Sequence, residues 1–162
     1  MLIAVIADTH LPRGTRTLPA ACVERLRGCQ LILHAGDFTG RAALDELRAL
    51  GPPVVAVHGN VDEESLRREL PERRVVSAEH LRIGMVHDAG PRSGRLERLR
   101  LAFPDADAVV FGHSHLPLHE RVEGFQIFNP GSPTERRRAP TRSMGLARVE
   151  GGTIEFELIE LP

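Results

Sequence analysis

The apolar residues of this chain come in short unbroken runs. Leu2 to Ala7, Leu31 to Leu33, Val54 to Val57, Ile83 to Val86 and Ala108 to Phe111 contain no polar side chain. Such runs read as strands buried on both faces, inside a covered sheet. Between several of them the apolar spacing lengthens to three or four. Leu18, Cys22 and Leu26 lie four apart, and Ala43, Leu44, Leu47 and Leu50 share one helical face. Leu66 and Leu70 begin another stripe, and Leu96, Leu99 and Phe103 a fourth. Thr39, Asp62 and Ser93 stand ahead of the last three stripes and are read as their N-caps. The last third changes character. Leu118 to Val122 and Phe125 to Phe128 flank Glu123-Gly124, and Met144 to Val149 and Thr153 to Ile159 flank Gly151-Gly152, which predicts two hairpins. Only Ser132 to Ser143, rich in Pro, Thr and Arg, reads as a long loop. No linker, repeat or low-complexity stretch divides the chain. The expectation is a single α/β domain over residues 1–162, its sheets covered by helices.

Composition narrows the function. Charged residues are 27% of the chain and the net charge is -1, which excludes a disordered chain and a generally basic nucleic-acid binder. There is no Trp or Tyr and there are only 6 Phe, so an aromatic platform for stacking bases is not expected. All 21 basic residues are arginine, which excludes a lysine nucleophile, a Schiff base and a P-loop lysine. The two cysteines, Cys22 and Cys29, form neither a disulfide framework nor a CxxC motif and are expected to be buried thiols. The apolar start is too short for a signal peptide and no run approaches a membrane span, so a cytoplasmic protein is expected.

Each buried run ends in residues that ligate metals. The first leads to Asp8 and His10, the second to Asp37, the third to Asn60, the fourth to His87 and the fifth to His113 and His115. Intervals of 27, 23, 27 and 26 residues separate His10, Asp37, Asn60, His87 and His113, each enough for a strand and its return. Ligands of open α/β sheets bind beyond the carboxyl ends of the strands, so these seven side chains would converge on one edge. Imidazole, carboxylate and amide oxygen suit Mn, Fe, Zn or Ni, and the set exceeds what one ion needs. Any one of these residues alone is more ordinarily a cap or a loop residue; their joint position at strand ends is what points to metal. His34, His58, His80 and His119 are read as structural or surface residues, with a supporting role beside the ligands as the alternative for His34 and His58.

The motifs Asp8-Thr-His10, Gly36-Asp37, Gly59-Asn60-Val-Asp62, His87 and Gly112-His113-Ser-His115 resemble, in order, those of the calcineurin-like metallophosphoesterases. The chain length, Gly-Asn-x-Asp and Asn129-Pro-Gly-Ser132 resemble its small YfcE-type phosphodiesterase branch. The resemblance implies an α/β fold of two facing sheets flanked by helices, with a dinuclear centre. One divalent ion would take Asp8, His10 and His115, the other Asn60, His87 and His113, with Asp37 as the bridge. Manganese is the first expectation, with iron, nickel or zinc as the others. The ions would clamp a phosphate and generate hydroxide at neutral pH, with Asn60 and His113 as the catalytic residues. Two positions depart from the wider pattern. Val61 stands where many phosphatases have a His, and Asp88-Ala-Gly follows His87 where many relatives have Gly-His.

The leading expectation is therefore a metal-dependent phosphodiesterase or phosphatase acting on a small phosphate ester or a nucleotide. A scaffold of the retromer-subunit type on the same fold is the main alternative, and a nuclease acting on short nucleic acid a third. Near-neutral charge argues against tight duplex binding. Arg136-Arg-Arg138 keeps an anionic substrate open, against the plainer reading of a solvated charge run. A homo-oligomer is compatible with the sequence, and a membrane partner is not expected.

Overall fold

The first strand, β1 (Leu2–Ile6), sends alternate side chains to opposite faces, and that alternation sets the layering. A computed structural model describes all of residues 1–162. Ala4 and Ile6 face a helical layer, where they join Cys22 and Leu26 of α1 (Ala20–Arg27), Leu44 and Leu47 of α2 (Arg41–Arg48) and Leu66 of α3 (Glu64–Glu69). Ile3 and Val5 face the other way. They pack with Leu31 and Leu33 of β2 (Leu31–His34) against Ile83 and Met85 of β5 (Leu81–Val86) and Val110 of β6 (Ala108–Val110). The far side of the second sheet is covered by α4 (Arg95–Ala102), whose Leu96 and Leu99 meet Val109, Phe111 and Ile127. The order of layers is helices, sheet, sheet, helix, the arrangement of two facing sheets flanked by helices.

The first sheet runs β10-β9-β1-β2-β3, with β3 (Val54–Ala56), β9 (Arg142–Glu150) and β10 (Thr153–Leu161). The second runs β4-β5-β6-β8-β7, with β4 (Arg73–Ala78), β7 (Leu118–Val122) and β8 (Phe125–Asn129). Strands β1, β2 and β3 are mutually parallel, and so are β5, β6 and β8. Each sheet therefore brings a set of carboxyl ends to one edge. The two hairpins in the last third form as expected, and β9 returns to pair antiparallel with β1.

Three caps differ from expectation. The N-caps of α2, α3 and α4 are Gly40, Glu63 and Gly94, and none makes a side-chain cap bond. Thr39, Asp62 and Ser93 each sit one residue too early. Strand β4 is also an addition to the pattern read from the sequence. It is an edge strand with exposed Arg73, Arg74 and Val75, and only Val76 and Ala78 reach the core, so it has no apolar run to announce it.

Candidate metal centre

All seven candidate ligands lie just beyond strand ends, and the backbone there is unusual. Asp8, His10, Asp37, His113 and His115 adopt φ of 55°, 46°, 61°, 68° and 58°. The left-handed region costs an ordinary L-residue roughly 1–2 kcal/mol, and Asp and His are among those that enter it. Five such residues at one edge are backbone strain concentrated where side chains must turn inward. Glycine supplies the closest approaches. A Cβ on Gly59 would land on the Asp37 carboxylate, and one on Gly112 would lie 2.9 Å from Asp8 Oδ2.

The side chains form two groups. Ligand atoms of Asp8, His10 and His115 lie within 4.8 Å of one another, and so do those of Asp37, His87 and His113. His10 Nε2 and His115 Nε2 are 3.1 Å apart. Asn60 Oδ1 lies 3.2 Å from His87 Nε2 and 3.0 Å from His113 Nδ1, which adds the amide oxygen to the second group. Asp37 Oδ2 is 3.2 Å from His87 Nε2 and 3.8 Å from His10 Nε2, so one carboxylate reaches both groups.

Backbone carbonyls fix the tautomers. His87 Nδ1 donates to Ala35 O at 2.7 Å and His115 Nδ1 donates to Glu135 O at 3.1 Å, so that in the neutral form of each ring the Nε2 lone pair faces the centre. Asp8 Oδ2 is buried with no hydrogen-bond partner. Converging lone pairs and an orphaned buried carboxylate oxygen are unfavourable among themselves and are satisfied by cations. The donor set therefore fits divalent ions of the borderline class.

The charges respond to burial. Burial pushes the Asp8 carboxyl up to about 7, outweighing the nearby His87. Burial also raises Asp37, but its hydrogen bond and charge interaction with His87 outweigh this and hold it down at about 2. Burial pulls His115 down to about 4 and also lowers His10. Burial would lower His87, yet its hydrogen bond to Asp37 and the Asp8 charge leave it raised.

A supporting layer holds the loops. Asp62 departs from the helix cap expected of it. Its Oδ2 accepts the N–H of Gly59 at 2.7 Å and of Asp37 at 3.1 Å, and its Oδ1 accepts that of Thr39 at 2.7 Å. It clamps the β2 and β3 loops together and caps no helix. His34, fully buried, accepts from the Gly36 N–H, lies 3.0 Å from Thr9 Oγ1 and stacks on Phe38. Asn129 Nδ2 donates to Gly112 O at 2.9 Å, and Ser132 Oγ donates to Asp8 O at 2.7 Å. The Asn129-Pro-Gly-Ser132 motif thus braces both ends of the first group. Of the arginine run, Arg136 binds Pro140 O while Arg137 turns to Glu135. His58 lies beside Asn60 in a cavity of about 290 Å³ that also includes Arg67, Glu72, His87 and Asp88.

A family model, the calcineurin-like phosphoesterase superfamily domain, matches residues 1–152. Over 161 residues the chain is 37% identical to a probable metallophosphoesterase of Methanothermobacter thermautotrophicus, covering 98% of this chain and 92% of that one. A phosphodiesterase of Methanocaldococcus jannaschii is 25% identical over 144 residues, 81% of this chain and 83% of its own. Among solved structures, wild-type Vps29 of Entamoeba histolytica, complexed with Zn²⁺, aligns with a TM-score of 0.78 at 27% identity over 99% of both chains. Vps29 of Chaetomium thermophilum shares the fold, with a TM-score of 0.80 at 24% identity over 99% of this chain and 96% of that one. No helix is long and apolar enough to cross a membrane. With its matched span, its relatives and its fold in agreement, the chain belongs to the calcineurin-like phosphoesterase superfamily.

Proposed function

We propose that the protein is a metal-dependent phosphodiesterase whose two side-chain groups each hold a divalent ion. The observation that carries this reading is the convergence of both groups on Asp37, beside the unpartnered Asp8 Oδ2. Asp8, His10 and His115 take one ion, and Asn60, His87 and His113 the other, with Asp37 between. Manganese is the first choice and iron, nickel or zinc the others; the Zn²⁺ complex of the Entamoeba Vps29 supports zinc on this fold. When bound, such ions supply positive charge to a phosphate and make water a stronger nucleophile.

The chain's own residues then orient the ester. Asn60 is exposed, with its amide oxygen turned to the histidines, which leaves its Nδ2 free to donate to a phosphate oxygen. His113 is likewise exposed and lies edge-on to His87 at 84°. The adjoining cavity of about 290 Å³ has room for one substituent of a diester. Reconstitution with Mn, Fe, Ni or Zn, elemental analysis, and hydrolysis of bis(4-nitrophenyl) phosphate test the reading. Up to two ions per chain and metal-dependent release of nitrophenolate are expected, with both diminished in Asp37→Ala. No ion bound above background with any of the four metals overturns it.

A second reading, a binding scaffold, draws support from the Vps29 likenesses, which cover nearly the whole chain. Ions bound in full, with no hydrolysis across a panel of phosphomonoesters, diesters and nucleotides, would favour that reading instead.

A further inference from the structure

Three guanidinium groups meet one carboxylate at the edge of the first group. Glu135 is tied to the centre by its backbone: its carbonyl accepts from His115 Nδ1, and its N–H donates to Ser132 Oγ at 3.0 Å. Its carboxylate, only 11% exposed, accepts from Arg13 at 2.6 Å, from Arg16, and from Arg137 at 3.4 Å. None of these arginines has a second acidic partner. One cation balances one carboxylate, so these three leave an excess of two positive charges on this rim. Arg137 lies two residues beyond Glu135, whose carbonyl holds His115, and its side chain turns back to the Glu135 carboxylate, which keeps it on the rim of the first group. The side chains of Arg13 and Arg137 are 65% and 52% exposed, so their remaining donors face solvent at the mouth. A guanidinium has about five N–H donors in a planar fork that matches phosphate, and each of these three spends only one on Glu135. The cavity beside the second group has no such excess, since Glu72 and Asp88 share its lining with Arg67.

We propose that Arg13, Arg16 and Arg137, organised on Glu135, form an anion subsite for a second phosphate group of the substrate. The inference rests on the phosphoesterase reading above and narrows its substrate class to phosphate esters carrying a further phosphate. The uncharged part of the ester then lies toward the Arg67 side.

Two ester substrates with the same leaving group test it: thymidine 5′-(4-nitrophenyl phosphate) with and without a 3′-phosphate. The metal-loaded native protein should favour the 3′-phosphorylated ester in kcat/KM by at least about tenfold at low salt, as charge-assisted contacts allow. In the Arg13→Ala/Arg137→Ala double variant that ratio should fall toward one. Arg16 remains there to neutralise Glu135, and a thermal melt checks the fold. Arg138→Ala removes a like charge outside the cluster and should keep the ratio. A parallel calorimetric titration compares thymidine 3′,5′-bisphosphate with thymidine 5′-phosphate and should show the same pattern in affinity. A native ratio near one in kinetics or binding, or a ratio that survives in the double variant, overturns the subsite. If neither ester is hydrolysed but the binding ratio behaves as stated, the hydrolytic reading falls and the anion subsite stands.

Discussion

Asp62 shows how far a single residue can be read from sequence. Its type and place, two residues beyond Asn60, mark it as an acceptor of backbone N–H groups. A helix cap and a loop clamp use that same chemistry, and two of the clamp's three partners lie 25 and 23 residues away, out of reach of local pattern. The two roles predict different losses. A missing cap costs about 0.5–2 kcal/mol and leaves the centre intact. Asp62→Ala instead leaves the N–H groups of Asp37, Thr39 and Gly59 unpaired, at about 1–3 kcal/mol for each that stays dry. Chemical denaturation should show a loss above about 2 kcal/mol, and elemental analysis a fall in bound metal. A small loss with full metal content would restore the cap. Val61, its neighbour, is 45% exposed and has no proton to give. Phosphodiester hydrolysis should therefore slow steeply as the leaving group becomes more basic, and Val61→His should make that dependence shallower. Rates across aryl and alkyl esters at saturating metal measure it; a flat dependence in the native protein means another acid or a different slow step.

At the scale of elements, legibility follows burial. The runs of β1, β2, β5 and β6 are apolar because both of their faces are covered, and they stand out in the sequence for that reason. Strand β4 is paired on one side only and presents Arg73, Arg74 and Val75 to solvent, so its strand character comes from its partner β5. The helices were legible by their stripes and not by their starts. Thr39 is occupied by the loop clamp instead, its N–H bound to Asp62 and its carbonyl to the Glu63 N–H. A stripe predicts what substitution costs. Leu66 is fully buried in the six-residue α3, which has few other anchors. Leu66→Ala should destabilise by about 2–5 kcal/mol in urea denaturation. Leu101, in α4 but 82% exposed, should tolerate alanine within about 0.5 kcal/mol. Equal losses at the two positions would contradict the layer order described above.

At the scale of the molecule, the centre joins the two sheets. Asp8, His10, Asp37 and Asn60 follow strands of the first sheet, while His87, His113 and His115 follow strands of the second. Each group draws on both, so an ion in either would tie sheet to sheet and stabilise the fold by mass action. The pH dependence has a definite sign. In the metal-free protein, burial lowers His10, His34 and His115, so the unfolded chain takes up their protons first and stability from these groups rises up to about pH 6.5. Asp8 works the other way: its unfolded carboxyl ionises near 3.8 and its folded one near 7, so its contribution falls as pH rises between them. His87, raised in the fold, adds stability below 6.5 that is lost as pH climbs through its folded value. Above pH 6.5 the histidine gain is complete, and Asp8 and His87 both lower the metal-free stability. Those two protons are also the ones an ion must displace, so metal binding strengthens over the same range. At about 100 times the dissociation constant an ion adds about 2.7 kcal/mol, or roughly 5–10 °C in Tm for a chain of this size. The metal-induced rise in Tm should therefore be larger at pH 8 than at pH 6. Calorimetric titrations of metal at pH 6, in buffers of different ionisation enthalpy, should report proton release that diminishes by pH 8. An equal Tm shift at both pH values, with no buffer-dependent heat, would show that neither Asp8 nor His87 holds a proton at pH 6 in the metal-free fold.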